Sequence, residues 1–139
     1  MIKTEYKPFV NFESDFQSDP QIDCFPAQLN QVFMNIMVNG CQAIQKKQKD
    51  SKDPTLGTLT VRIQTEGGLL KIEFQDTGCG MSEEVKERIF EPFFTTKTVG
   101  EGTGLGMSIS YGIIEKHHGT IQVKSELGTG TSITLSLPI

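Results

Sequence analysis

The stretch TLTVRIQTEGGLLKIEFQD, Thr58 to Asp76, constrains the fold more than any other. Two β-rich runs flank Gly67-Gly68, and a glycine pair between such runs is a strong signal for a tight hairpin. A second pair, TIQVKSE and TSITLSLPI, alternates around LGTG near the other end. Strand pairs of this kind bury one face only, so each hairpin needs another layer against it.

Three helical patterns supply that layer. From Ala27 to about Lys46, the positions Leu29, Val32, Phe33, Ile36, Gly40, Ala43 and Ile44 recur at helical spacing. Pro26 suits the first turn, where its missing N–H is harmless. The run KKQKDSKDP ends this helix as a solvated loop of alternating charge. SEEVKERIF reads as a short helix with Ser82 as N-cap and acids in its first turn. LGMSISYGIIEKHHG is helical again, with Leu105, Ile109 and Ile113 at i, i+4, i+8 and Gly119 as the C′ cap. At the start, YKPFVNFESDFQ reads as a strand that QIDCF joins across the turn SDP. Glu91 to Gly106 shows no periodicity and is a long loop, usually functional or mobile in a compact domain. The order ββα, ββα, loop, αββ predicts an α+β fold. It is a two-layer sandwich with a mixed, mostly antiparallel sheet and helices packed on one face.

The bulk properties narrow the function classes. The chain has 139 residues, enough for a single domain with its own core. The net charge is −4 without a basic block, which argues against a nucleic-acid footprint. No apolar run approaches the roughly 18 residues of a membrane span, and Met1 opens no signal-peptide pattern. Cys24, Cys41 and Cys79 lack CxxC spacing, so they read as reduced thiols of a cytosolic domain with no zinc site. MIKTEYKPFVNF begins an excised fragment as readily as a natural protein.

Four motifs carry chemistry. Asn35 and Asn39 in NIMVN stack on one side of the first helix, beside its apolar stripe. Amide oxygens there suit a hard cation such as Mg²⁺, although two asparagines on a helix flank are more often only that. DTGCGM, Asp76 to Met81, ends a strand with a carboxylate that can accept from a ligand amine, beside glycines that admit a flat ring. Alone, it is more often a capped glycine turn. FEPFFTTK, Phe90 to Lys97, sets three phenylalanines around a proline and ends on a lysine able to reach phosphate. Alone, it is more often a hydrophobic loop latch with an exposed lysine. GEGTGLGMSIS, Gly100 to Ser110, frees the backbone where the helix at Leu105 begins, and the N–H groups of a helix N-terminus suit phosphates. It is neither a P-loop nor a strand-borne GxGxxG.

In this order the motifs are far more specific than singly. NQVFMNIMVNGCQAI, DTGCGM, RIFEPFFTTK and GEGTGLGMSIS resemble the N, G1, F and G2 boxes of bacterial sensor histidine kinases. GTGTSITLSLP resembles the family's closing block, and the likeness covers about Phe9 to Ile139. It implies the catalytic ATP-binding domain of a two-component kinase, with the Bergerat (GHKL) fold, cut from a longer cytoplasmic or membrane-anchored chain. The resemblance implies ATP and Mg²⁺ as cofactors. Asn39 would hold Mg²⁺, and Asn35 would assist through water or metal. Asp76 would read the adenine amine, with Gly78, Gly80 and Met81 beside the ring and Thr131 near the base. Lys97 and the backbone of Gly102, Thr103, Gly104, Leu105 and Gly106 would hold phosphates. The implied partners are the chain's own dimerisation domain, which bears the acceptor histidine and is missing here, and a response regulator receiver domain. Neither nucleic acid nor direct membrane contact is expected.

Three departures matter. Gly40 stands where the family more often has alanine, and Gln42 where many members carry a basic residue near the phosphates. No acid follows His117 or His118 in EKHHGT, so neither resembles the acceptor; both suit a helix C-terminus. Asn35 stands where gyrase-like, MutL-like and Hsp90-like ATPases carry a general-base glutamate, which favours transfer over hydrolysis. The alternative reading is a non-catalytic nucleotide-binding or partner-docking module related to the GHKL ATPases.

Overall fold

The computed structural model describes residues 10–18, 20–51, 57–92, 94 and 106–139. Its strands are β1 (Val10–Phe16), β2 (Gly57–Glu66), β3 (Leu69–Asp76), β4 (Thr120–Glu126) and β5 (Gly130–Pro138). Its helices are α1 (Pro26–Ser51), α2 (Glu83–Arg88) and α3 (Gly106–Lys116). One five-stranded sheet runs β1-β2-β3-β5-β4. Only the β1–β2 pairing is parallel, with α1 as its crossover; the other three are antiparallel.

Strand alternation decides which face is covered. Leu70, Ile72 and Phe74 of β3 and Ile133, Leu135 and Leu137 of β5 are buried on one face, against Leu29, Val32 and Ile36 of α1 and Ile114 of α3. Val10, Leu59, Cys41 and Ile44 form a second buried group. The opposite face is polar and carries the Arg62–Glu73 ion pair at 2.8 Å, with Ser132 Oγ donating to Glu73. The α+β sandwich with helices on one face is therefore observed. No helix among the described residues is long and apolar enough to cross a membrane.

Both expected hairpins form, and Gly67 and Gly68 turn the first at φ 58° and 76°. Ser82 caps α2 by accepting the Val85 N–H. Other expectations need correction. QIDCF is not a strand: residues 20–25 are irregular, and the seven residues of β1 pair instead with the open edge of β2. The Phe25 N–H donates to His117 Nε2 at 3.0 Å, while Ile22 and Cys24 pack on the core. Lead-in residues tied to helices in this way cannot also join a sheet ladder. Helix α1 runs on through KKQKDS to Ser51, because charged residues favour a solvated helix as readily as a loop. In α3 the buried positions are Ser110 and Ile114, while Ile109 is 39% exposed. Leu105 of the expected stripe lies outside the described residues. The left-handed C′ residue is His118 at φ 61°, not Gly119. Gly119 donates to Ile114 O and His118 to Glu115 O, which makes Gly119 the C″ residue of a Schellman motif. Cys41 is fully buried in the second apolar group.

Leu135 has no exposed surface at the centre of the apolar rows. Leu135→Ala is expected to cost about 2–5 kcal/mol by removing methyl groups that the sheet and helices cannot close around. Urea unfolding measures it, and a cost below about 1 kcal/mol would contradict this account of the core.

Candidate functional site

The alternation that builds the core also delivers an acid to its edge. After Leu70, Ile72 and Phe74, the next residue on the covered face of β3 is Asp76, at the strand's end. Its cross-strand neighbours are Leu59 on β2 and Thr131 on β5, and Thr131 faces Ser125 on β4. Apolar rows thus give way to a row in which Asp76, Thr131 and Ser125 are adjacent and polar. Asp76 Oδ1 accepts the Gly78 N–H at 2.9 Å. Burial pushes its pKa up to about 6, outweighing the Gly78 and Thr131 backbone N–H groups and the Lys47 charge that pull it down.

The turn after Asp76 lies directly against α1. A Cβ on Gly78 would stand 2.6 Å from Ala43 Cβ, and the Cys79 N–H donates to Ala43 O at 3.2 Å. Gly80 takes φ 69°, and a side chain there would run into the Glu126 carbonyl. Met81 is half-buried and its N–H donates to Ser125 Oγ at 2.8 Å. Ser125 also lies 2.8 Å from Thr131 Oγ1 and donates to Gly130 O at 3.1 Å. It therefore ties the glycine turn to the β4–β5 hairpin. The sequence reading missed Ser125, although a serine at an inward position after Ile121 and Val123 is the signal that marks it.

Helix α1 supplies the other wall. Asn35 and Asn39 are both half-buried, one turn apart on the same side of α1. Asn35 Nδ2 donates to Gly106 O and to Ser110 Oγ, each at 3.2 Å. Gly40, next to Asn39, packs over Asp76: a Cβ there would lie 3.5 Å from Asp76 Oδ2 and 3.0 Å from Leu59 Cδ1. Gln42 Oε1 is buried without a hydrogen-bond partner among the described residues. The structure thus brings together Asp76, Gly78, Gly80, Met81 and Thr131 under α1, and joins Asn35 to Gly106. Lys97, Gly102, Thr103, Gly104 and Leu105 lie outside the described residues.

The donor set suits one kind of metal. No group of three or more His, Cys, Asp or Glu residues among the described residues can hold a cation by itself. Two neutral amide oxygens fit Mg²⁺ arriving with phosphate and water ligands of its own.

Asp76, the glycine turn after it and the amide flank of α1 thus form one candidate site at the end of the covered face. The chain belongs to the family of histidine kinase-, DNA gyrase B-, and HSP90-like ATPases, which matches residues 25–139. It is 39% identical over 120 residues to the sensor histidine kinase ZraS of Escherichia coli, covering 86% of this chain and 23% of that protein. It is 40% identical over 132 residues to sporulation kinase E of Bacillus subtilis, covering 94% and 16%. The chain thus spans a quarter or less of the length of these relatives. The nucleotide-free catalytic domain of histidine kinase ThkA superposes with a TM-score of 0.78 at 27% identity, over 99% of this chain and 82% of that one. The mycobacterial sensor histidine kinase MprB shares the fold, with a TM-score of 0.80 at 23% identity over 99% and 86%.

Asp76 makes folding pH-dependent. Its raised pKa favours the folded state fully below the ordinary value near 3.8, and that advantage is lost as pH rises through about 6. Asp76→Asn removes this dependence. Relative to wild type, the variant is expected to gain about 3 kcal/mol of stability between about pH 4 and pH 7. Urea unfolding of both proteins across that range checks it; a constant difference would contradict the burial of this carboxylate.

Proposed function

We propose that this chain is the ATP-binding catalytic domain of a two-component histidine kinase, presenting the γ-phosphoryl group of Mg-ATP to a histidine on a separate dimerisation domain. The observation that carries the reading is Asp76. A carboxylate sheltered at a strand end is an acceptor suited to the exocyclic amine of adenine. Gly78, Gly80 and Met81 line the ring, and Thr131 borders it. Asn39 and Asn35 hold Mg²⁺ against the triphosphate directly or through its waters; bound there, the ion neutralises phosphate charge. Lys97 and the backbone of Gly102, Thr103, Gly104, Leu105 and Gly106 complete the phosphate side.

Two features favour transfer to a separate acceptor. His117 uses both ring nitrogens, Nδ1 toward Ile113 O at 2.8 Å and Nε2 toward the Phe25 N–H. It has no nitrogen left for nucleophilic attack, and no acid follows His118. Asn35, where related ATPases place a glutamate, has no basicity with which to activate water. The phosphorylated histidine then passes its group to a response regulator receiver domain.

Calorimetry with a non-hydrolysable ATP analogue, with and without Mg²⁺, tests the reading on wild type and Asp76→Asn. Wild type is expected to bind in the micromolar range, and the variant at least about tenfold more weakly, a loss of about 1.4 kcal/mol. Wild-type binding is expected to weaken as pH falls through about 6, where protonation removes an acceptor. Adding an isolated acceptor-histidine domain with labelled ATP then reads phosphoryl transfer. Failure of folded wild type to bind would move the chain to the partner-docking alternative.

A further inference from the structure

Ser110 is fully buried at a helix position where packing favours an apolar side chain, and nothing in the nucleotide reading uses it. A buried hydroxyl is costly unless bonded, and this one is bonded on both sides. It donates to the carbonyl of Gly106, one turn back, at 2.8 Å, and it accepts from Asn35 Nδ2 at 3.2 Å. The same Nδ2 also donates to Gly106 O at 3.2 Å. Asn35, Gly106 and Ser110 thus close a three-membered ring of hydrogen bonds between α1 and the first turn of α3.

We propose that Ser110 is a positioning residue of the nucleotide site, fixing the Asn35 carboxamide so that Oδ1, and never the NH₂ group, is what Asn35 offers to the hydrated magnesium ion. The inference rests on the nucleotide reading above. The terminal torsion of an asparagine is broad and roughly two-fold, so the side chain alone does not choose between its two faces. Gly106 O is an obligate acceptor. The Ser110 proton is committed to Gly106 O, so toward Asn35 the hydroxyl presents a lone pair. Two acceptors side by side hold both Nδ2 hydrogens and reject the flipped amide, whose oxygen would face them. Oδ1 is then the remaining group, and a hard cation or its water accepts no substitute from NH₂. Replacing the hydroxyl with methyl groups removes the second acceptor and leaves Gly106 O alone to decide the orientation.

The test compares Mg²⁺-dependent and Mg²⁺-free binding of a non-hydrolysable ATP analogue by wild type, Ser110→Val and Ser110→Thr. Thermal melts verify folding, and Ser110→Ala replaces Ser110→Val if the latter fails to fold. The affinity gained on adding MgCl₂ is expected to fall about three- to tenfold in Ser110→Val, the range of one net hydrogen bond. Mg²⁺-free binding is expected to hold, since Asp76 is untouched, and Ser110→Thr is expected to keep the wild-type gain. In nucleotide-free protein, the Asn35 side-chain NH₂ signals, assigned by their loss in Asn35→Ala, are expected to exchange faster with water in Ser110→Val. An unchanged Mg²⁺ gain, or an equal loss with and without Mg²⁺, overturns the role of Ser110. A wild type that binds no nucleotide overturns the site reading beneath it, which separates the two failures.

Discussion

The covered face of the sheet must end somewhere, and the site exists because it ends on polar residues. The two-residue period that puts Leu70, Ile72 and Phe74 into the core also puts Asp76 there. Phe74 pairs with Val61 and Ile133, whereas the following row places Asp76 beside Thr131, and Thr131 beside Ser125. A register slip of one residue would move both the core and the carboxylate to the solvent face together. Core and site are therefore one specification. The apolar rows stabilise the domain, and the last row gives some of that up: Asp76 is held where its charge is poorly solvated.

Helix α1 is the element that both halves of the site share. Its core side carries Leu29, Val32 and Ile36, while the small residues Gly40 and Ala43 let Asp76 and the Gly78 turn approach its backbone. Asn35 follows on the adjoining flank, bonded to α3, with Asn39 one turn further on. One helix thus spans from the Asn35–Gly106 contact to Asp76 and the glycine turn. The small side chains at 40 and 43 belong to the same logic as the glycines at 78 and 80. Each removes bulk where backbone must meet backbone or ligand.

What the sequence revealed follows from how local each signal is. The hairpins at Gly67-Gly68 and LGTG, the Ser82 cap and the apolar stripe of α1 are encoded within a few residues, and all appear as expected. The partner of β1 is not local. Its neighbour β2 lies beyond the whole of α1, and nothing in VNFESDF distinguishes a parallel edge from a hairpin arm. Ser110 and Ser125 escaped for a different reason. Periodicity finds buried positions by their hydrophobicity, so an inward serine erases its own signal; the neighbouring Ile109 carries the apolar signal yet is 39% exposed. His118 was missed because the left-handed cap favours glycine, and Gly119 stood one residue away, where the Ser136 carbonyl leaves no room for a side chain.

The contact that orients Asn35 also bears on what chemistry position 35 permits. Both acceptors it meets, the Gly106 carbonyl and the lone pair of Ser110, require hydrogens from α1. An amide supplies two. A carboxylate supplies none and would set negative charge against a carbonyl oxygen, so α3 in this arrangement selects against an acidic general base at position 35. Under the proposed function, preference for transfer over hydrolysis is then more than the absence of a glutamate. It is built into the packing of α1 on α3, and exchanging Asn35 alone for an acid would disturb that packing before it conferred hydrolysis. Under the proposed function, such a domain holds a triphosphate with its charge neutralised and leaves the attacking atom to be brought by another domain.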